Sequence, residues 1–342
     1  MTSYSPDFPH AHLNEKPQAG FRQVAQDFEV EEELGFPLSG SGEHLWLKIE
    51  KTGLNTIDVA RLIAEKTATR IQDVGYAGLK DKLAVTRQWF SVKSSAELSD
   101  TDFGEPAIKI LDSHRNARKL RRGSHRGNAF RITLRDINVD SAWIASVSST
   151  LAAQGVPNYF GPQRFGHGGN NIARAEALFN GKLAKLPRFQ RGIILSAARS
   201  FLFNQVLAAR VIDGSWNQYI PGELMALAGS SSVFKAEEGD QAIPGRLVAM
   251  DIHPTGPLWG KGELASAGQV KSLEQGIIEK YQVLSRGLAD AGLKQERRAL
   301  RLIPENLRIK TAGDNELMVE FSLPTGAFAT SVLREMVSAP GL

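Results

Sequence analysis

Cysteine is absent from all 342 residues. Its absence excludes disulfide frameworks, thiolate nucleophiles, iron–sulfur clusters and every zinc site built on thiolates. Histidine is scarce as well, seven residues with neither an H-E-x-x-H motif nor any paired ligand spacing, so no metal site is expected. Long apolar runs are missing. The most apolar stretch, residues 193–212, is interrupted by Arg199, Asn204, Gln205 and Arg210, which a membrane span of about 20 residues does not tolerate. The opening MTSYSPDFPHAHLNEKP has no basic segment leading into an apolar one, unlike a secretory signal. A soluble, cytoplasmic chain without membrane association is expected.

Nucleotide-loop signals fail on context. Asp102-Phe103-Gly104 spells a kinase metal-binding triplet, but no glycine-rich loop or catalytic-loop motif accompanies it. The glycines of residues 161–169 lack a Lys-Ser/Thr ending and do not fit the dinucleotide fingerprint.

What the chain does have is a local excess of positive charge. The formal net charge is only +4, yet Arg115, Arg118, Lys119, Arg121, Arg122, Arg126 and Arg131 fall together, with His114 and His125 and no acid among them. Without this run, 34 basic side chains face 37 acidic ones. A surface that contacts phosphates concentrates charge in this way, and so does a solvated loop.

The length suits two domains, or one with a large insertion. Phe28, Val30 and Glu32 alternate with Glu29 and Glu31, and Leu45, Leu47 and Ile49 with Trp46 and Lys48, on either side of the turn-rich Ser39-Gly40-Ser41-Gly42. The pattern predicts two strands joined as a hairpin or meander. Asn55 or Thr56 caps a helix with Ile57, Ala60 and Ile63 on one stripe. Asn128, Phe130, Ile132 and Leu134 share one face of a strand, and Ser141 opens a helix that Gly155 ends. Helices are expected at 172–179 and 196–211, short strands and loops from 221 to 262, and one long amphipathic helix at 270–291. Leu317, Val319 and Phe321 alternate as a strand, and a turn at Pro324-Thr325-Gly326 leads into a helix near Phe328. Strands near both ends of the sequence around a helical middle predict a core domain from 1–155 and 303–342, with an insertion at 156–302.

The sharpest local anomaly is Lys80-Asp81-Lys82, an acid between two cations in a glycine-flanked turn, with Arg87 further on. Neighbouring cations favour the carboxylate form, as a nucleophile or base needs at neutral pH. Charged turns are also common as plain solvated structure.

The run Gly78-Leu79-Lys80-Asp81-Lys82-Leu83-Ala84-Val85-Thr86-Arg87-Gln88 closely resembles the G-x-K-D-K-x-A-x-T-x-Q signature of the tRNA pseudouridine synthase D (TruD) family. Similar segments follow the family order: Asp27-Phe28-Glu29-Val30-Glu31-Glu32, Arg126-Gly127-Asn128-Ala129-Phe130, Asn158-Tyr159-Phe160-Gly161-Pro162-Gln163-Arg164-Phe165-Gly166, Leu195-Ser196-Ala197-Ala198-Arg199-Ser200, and a stretch from Leu323 to Glu335. One departure stands where the family pattern is K-x-x-P-E-D-F. Here Arg22 replaces the lysine, and Ala25 and Gln26 replace the proline and glutamate; arginine is not a neutral substitute for a compact lysine charge.

The resemblance implies a mixed α/β fold, a pseudouridine synthase-type catalytic domain with a mixed or antiparallel sheet plus an α/β insertion domain. It also implies conversion of uridine to pseudouridine in tRNA, at position 13, without cofactor or obligate protein partner. By that resemblance Asp81 is the catalytic carboxylate, and Phe28, Asn128, Phe130, Phe328 and Lys80 surround the substrate. Arg22, Arg115, Arg118, Lys119, Arg121, Arg122 and Arg126 are candidates for the RNA backbone, joined by Arg297, Arg298 and Arg301. Lys82 and Arg87 read as surface charges, and Arg164 and Arg199 as structural ties. The competing reading is a non-catalytic RNA-binding protein or tRNA-folding chaperone. A zinc deaminase is excluded by the missing cysteines.

Overall fold

Alternation of apolar side chains organises the larger half of the protein into one sheet. The computed structural model describes residues 4–5, 7–13, 15–104, 107–184 and 186–342. The long strands of the main sheet are β1 (Phe28–Glu33), β2 (His44–Thr52), β3 (Val85–Lys93), β4 (Ile108–Asn116), β5 (Gly127–Arg135), β6 (Glu305–Gly313) and β7 (Glu316–Pro324). Their order is β6-β7-β5-β1-β3-β2-β4, with Gly20–Phe21 added beside β5 and Gly75–Tyr76 beside β3. Only β1 and β3 run parallel, so the sheet is mixed.

The expected hairpin between β1 and β2 does not form. β3 lies between them, and the Ser39 turn is instead fastened to β4: its backbone N–H and hydroxyl both donate to Asn116 Oδ1, at 2.9 and 2.8 Å. Alternation announces a strand with one buried face but does not choose its neighbour.

The helices of this half cover one face. Phe28, Val30, Ile132, Leu134, Leu317, Val319, Phe321 and Leu323 pack with Val147 and Leu151 of α2 (Ser141–Gln154) and with Val332 and Leu333 of α7 (Ala329–Leu333). Alongside them, Leu45, Leu47, Ile49, Phe90 and Val92 receive Val59, Ala60 and Ile63 of α1 (Thr56–Lys66). α1 is capped by Asn55, whose backbone and amide N–H groups both donate to Asp58, tying the cap to the first turn. Ile63 is fully buried, so Ile63→Ala removes about 2–5 kcal/mol. The opposite face carries Trp46 and Trp89 and a charge ladder. There Arg87 bridges Glu29 and Glu50 at 3.0 and 2.7 Å; it is a sheet tie rather than a free surface charge.

The intervening residues build a second core around α4 (Arg188–Ile212), which buries residues from Ile194 to Val211. By length and composition α4 is long and apolar enough to cross a membrane, but two-thirds of its apolar window is buried within the protein. Around it lie α3 (Asn170–Phe179), α5 (Gly268–Lys280), α6 (Gln282–Asp290) and a four-stranded sheet of Val233–Lys235, Leu224–Leu227, Ile252–Leu258 and Glu296–Ala299. The stretch from 221 to 262 also holds a short helix, Ala242–Val248, that its Pro and Gly content conceals. The single helix expected at 270–291 is two. Tyr281 leaves helical geometry (φ −115°, ψ 45°), and its ring packs edge-on against Phe201, 5.1 Å between centroids. Where the two halves meet, Val156–Pro157 pairs with Arg301–Leu302.

Candidate active site

The site lies on the helix-covered face, where the loop after Gly78 crosses β1 and β5. A cleft of about 190 Å³ is lined by Arg22, Phe28, Val30, Leu79, Lys80, Asp81, Asn128, Phe130, Gln163, Phe328 and Thr330, among others. The structure therefore gathers Phe28, Asn128, Phe130, Phe328 and Lys80 around Asp81 from four distant parts of the chain.

Buried polar contacts fix the loop. Lys51 is fully buried and donates through Nζ to the backbone carbonyls of Leu54 (2.7 Å) and Asp81 (2.9 Å). Burial pulls its pKa down to about 8, against the attraction of Asp81. Lys80 N–H donates to Thr56 Oγ1 (2.9 Å), and that hydroxyl donates to Gln88 Oε1 (2.9 Å). The helix start, backed by the third strand, thus holds the turn just before the acid, and the second strand holds the acid's own carbonyl through Lys51.

Lys80 is expected beside the carboxylate, but its side chain turns the other way. Nζ lies 3.1 Å from Glu32 Oε2, with the two side chains 7% and 0% exposed, and donates to Asn128 Oδ1 at 2.5 Å. Burial pulls the lysine's pKa down against the pull of Glu32. This contact leaves Asn128 Nδ2 as the group that can donate to a carbonyl in the cleft. His125 packs behind the same pair, and burial lowers its pKa, keeping it neutral.

Arg22 sits in the cleft, not on an outer RNA-facing surface. Its NH1 lies 3.0 Å from Asp81 Oδ2, and Gln163 Nε2 donates to the same oxygen at 3.3 Å. Both partners engage Oδ2, and Oδ1 has no hydrogen-bond partner among the described residues. The guanidinium also lies 3.8 Å from the Phe28 ring centroid. One face of Phe28 is therefore occupied and its ring is 4% exposed, so it forms a wall. Phe130 and Phe328 are half-buried and present more ring to the cleft. Arg22 holds a left-handed backbone, φ 57°, a sparsely populated conformation for a non-glycine residue that is found where a side chain must be aimed. At Gly161, behind Phe328, a Cβ would come within 2.6 Å of Thr330 Oγ1, which is why glycine stands there.

The candidate backbone cations separate into two groups. Arg118 and Arg121 are exposed and have no carboxylate partner among the described residues. Arg122 is exposed too, over the Tyr76 ring and donating to its hydroxyl at 2.6 Å, and Arg126 pairs with Glu305 at the surface. Arg115 is instead tied to the carbonyls of Ser94, Ser95 and Ala96, and Lys119 to that of Gln72. Arg297, Arg298 and Arg301, expected on the RNA surface, point inward. Arg297 pairs with Glu274 at 2.7 Å, Arg298 donates to Asn158 Oδ1 at 2.6 Å, and Arg301 donates to His253 Nδ1 at 2.9 Å. Arg199 is a tie, as expected, to Glu296 and to the carbonyls of Leu258 and Lys294. Arg164 donates to Ser196 but also reaches toward the Phe328 ring.

Lys51, Glu32 and Gln163 carry no role in the sequence reading. Gln163 and Glu32 both lie in segments that resemble the family, but nothing in their residue type singles them out, and Lys51 looks like an ordinary charged position in a strand.

A part-exposed carboxylate among aromatic rings and an amide, with one guanidinium and one amide N–H on a single oxygen, has the make-up that fits a planar, uncharged base, as in an enzyme that acts on nucleosides. A family model described as tRNA pseudouridine synthase D (TruD) matches residues 13–182 and 169–336. The chain is 43% identical over 337 residues to tRNA pseudouridine synthase D of Stutzerimonas stutzeri, covering 97% of this chain and 96% of that one. It is 46% identical over 320 residues to the Pseudomonas putida protein of the same name, covering 92% and 90%. The crystal structure of a Methanosarcina mazei protein assigned to tRNA pseudouridine synthase D superposes with a TM-score of 0.75 at 20% identity, covering 96% and 95% of the two chains. The protein belongs to the tRNA pseudouridine synthase D family.

Proposed function

We propose that this protein converts uridine 13 of tRNA to pseudouridine and that the Asp81 carboxylate drives the reaction. Isomerase activity on tRNA comes with the family; the nucleotide position and the residue roles are our reading. The observation that carries it is the placement of Asp81, with Oδ2 held by Arg22 and Gln163, in the lining of a cleft it shares with Phe130, Phe328 and Asn128.

In the reaction the N1–C1′ bond breaks, the uracil turns, and a C5–C1′ bond forms. C5 gives up its hydrogen and N1 gains a proton, so the step balances without any external oxidant or cofactor. The uridine must first leave its stack, at a cost of a few kcal/mol, which the phenylalanine rings and the Asn128 Nδ2 donor offset. Asp81 Oδ1 then serves as nucleophile toward the nucleoside or as base toward the ribose. We read residues 1–155 and 303–342 as the catalytic domain and 156–302 as the insertion, in a cytoplasmic enzyme. Arg118 and Arg121 are the open cations for the RNA backbone.

The test is tritium release from C5-labelled uridine in an unmodified tRNA transcript, with the intact protein and Asp81→Asn side by side. Release by the intact protein alone is the expected result. Tight, salt-sensitive tRNA binding without release from any transcript would favour the chaperone reading instead.

A further inference from the structure

A second cavity, larger than the cleft, opens on the other face of the main sheet. It has a volume of about 830 Å³ and is lined by Phe36, Pro37, Leu38, Trp46, Ala117, Arg118, Leu120 and Arg121, among others. That volume falls within the roughly 300–1,000 Å³ of ligand-sized sites. Its floor is apolar and rigid. Trp46 is 1% exposed, donates its indole N–H to the Arg118 carbonyl at 2.9 Å, and meets Phe36 edge-on at 6.1 Å. Phe36 itself is 40% exposed, a large ring left uncovered. The wall opposite is held by the Leu120 N–H donating to Ser91 Oγ at 2.8 Å, and by Asn116, whose amide oxygen takes both Ser39 donors.

The mouth carries the two open cations, Arg118 and Arg121. The chain between them and the cleft stays basic: Arg122 lies over Tyr76, Arg126 follows, and Asn128 of the cleft comes two residues later. This connecting loop is also fixed to the segment bearing Asp81, because Gly123 N–H donates to the Ala77 carbonyl at 2.8 Å. The cavity and the cleft are thus joined by one short basic loop.

We propose that this cavity seats an unpaired base of the tRNA other than the target uridine, resting on Phe36 above the Trp46 floor, with its flanking phosphates on Arg118 and Arg121. The inference rests on the reading that the substrate is tRNA. Aromatic platforms hold unstacked bases through their π-faces without reading sequence, and free guanidinium groups at the rim supply the phosphate contacts. An acidic peptide or a second copy of the chain would use the same cations but not need a ring-sized apolar floor.

The experiment compares the intact protein with Phe36→Ala, Ala117→Trp, which fills the cavity, and Arg118→Ala/Arg121→Ala. Steady-state pseudouridine formation on full-length tRNA and tRNA affinity across a salt series are measured for each. Phe36→Ala and Ala117→Trp are each expected to raise KM and Kd about ten-fold, the effect of losing one stacked base, with kcat and the salt slope unchanged. The double arginine variant is expected to flatten the slope of log K against log salt by about 1.4–1.8. Protection of one unpaired tRNA nucleotide from chemical probing should vanish in Phe36→Ala and persist in Asp81→Asn. Thermal unfolding of Ala117→Trp separates lost binding from lost folding. If both cavity variants bind and turn over tRNA within about two-fold of the intact protein, the base seat is wrong, whatever the arginines do. If the intact protein neither binds nor modifies tRNA, the functional reading fails and the base seat fails with it.

Discussion

Two regions of this protein are rich in arginine and use it in opposite ways. At the Asp81 cleft and the adjoining rim three arginines are incompletely paired: Arg22 reaches only one oxygen of Asp81, and Arg118 and Arg121 reach no carboxylate among the described residues. In the 156–302 segment the inward-pointing arginines Arg210, Arg297, Arg298 and Arg301 are closed off by partners inside the fold. Arg210 is buried on Glu223 at 2.9 Å and also donates to the hydroxyl and carbonyl of Ser215 and to the carbonyl of Gln218. Desolvation still pushes the pKa of Glu223 up to about 7, so the pair costs as well as contributes. Cations whose capacity is spent inside the fold hold the fold, and those with capacity left over are available to a polyanion.

That contrast can be broken at four points. The largest effect belongs to Asp81→Asn, expected to lower kcat by about 10⁴-fold or more; its melting temperature should stay within about 4 °C, since the side chain is 38% exposed and supports little packing. A variant that melted far lower would move Asp81 into the structural group. Arg210→Ala should do the reverse. Leaving Glu223 buried without its partner costs about 3–5 kcal/mol in denaturant titration, while turnover per folded molecule is unchanged.

The third point is pH. Burial and the neighbouring Arg301 push His253 down to about 4. Between pH 6.5 and 4 the unfolded chain takes a proton there and the folded one does not, so stability falls as pH falls, by about 1–3 kcal/mol across that window. In His253→Gln this component should be absent; an unchanged acid limb would show that the imidazole is not held neutral. The smallest effect is expected for Arg118→Ala alone: a salt slope shallower by about 0.7–0.9 and an unaltered melting curve. Arg298→Ala should give the converse, a lower melting temperature and an unaltered slope.

The sequence made some of this legible. Strand and helix positions followed from periodicity, because β1, β5, β7, α1 and α2 each bury a single face. The Lys-Asp-Lys turn was marked by its charges and by family resemblance. Pairing was not legible: β1 takes β3 as its parallel neighbour only after α1 has carried the chain back, and nothing in Phe28–Glu33 encodes that. Nor could the sequence sort its arginines. Arg118 and Arg298 each stand in a short basic run, and what separates them is an acceptor far away in the chain, Asn158 Oδ1 for one and none for the other. Lys51 escaped notice for the same reason, since the carbonyls that bury it belong to turns, and backbone oxygens leave no trace in composition.

The placement of β6 and β7 has a consequence for how the enzyme is made. Phe328 and Thr330, which close the cleft, and β7, which flanks β5, emerge from the ribosome long after Asp81. A nascent chain can complete the four-helix core around α4 while the catalytic sheet still lacks its outer strands. During synthesis, then, Asp81 is in the chain well before the residues that complete the lining of its cleft.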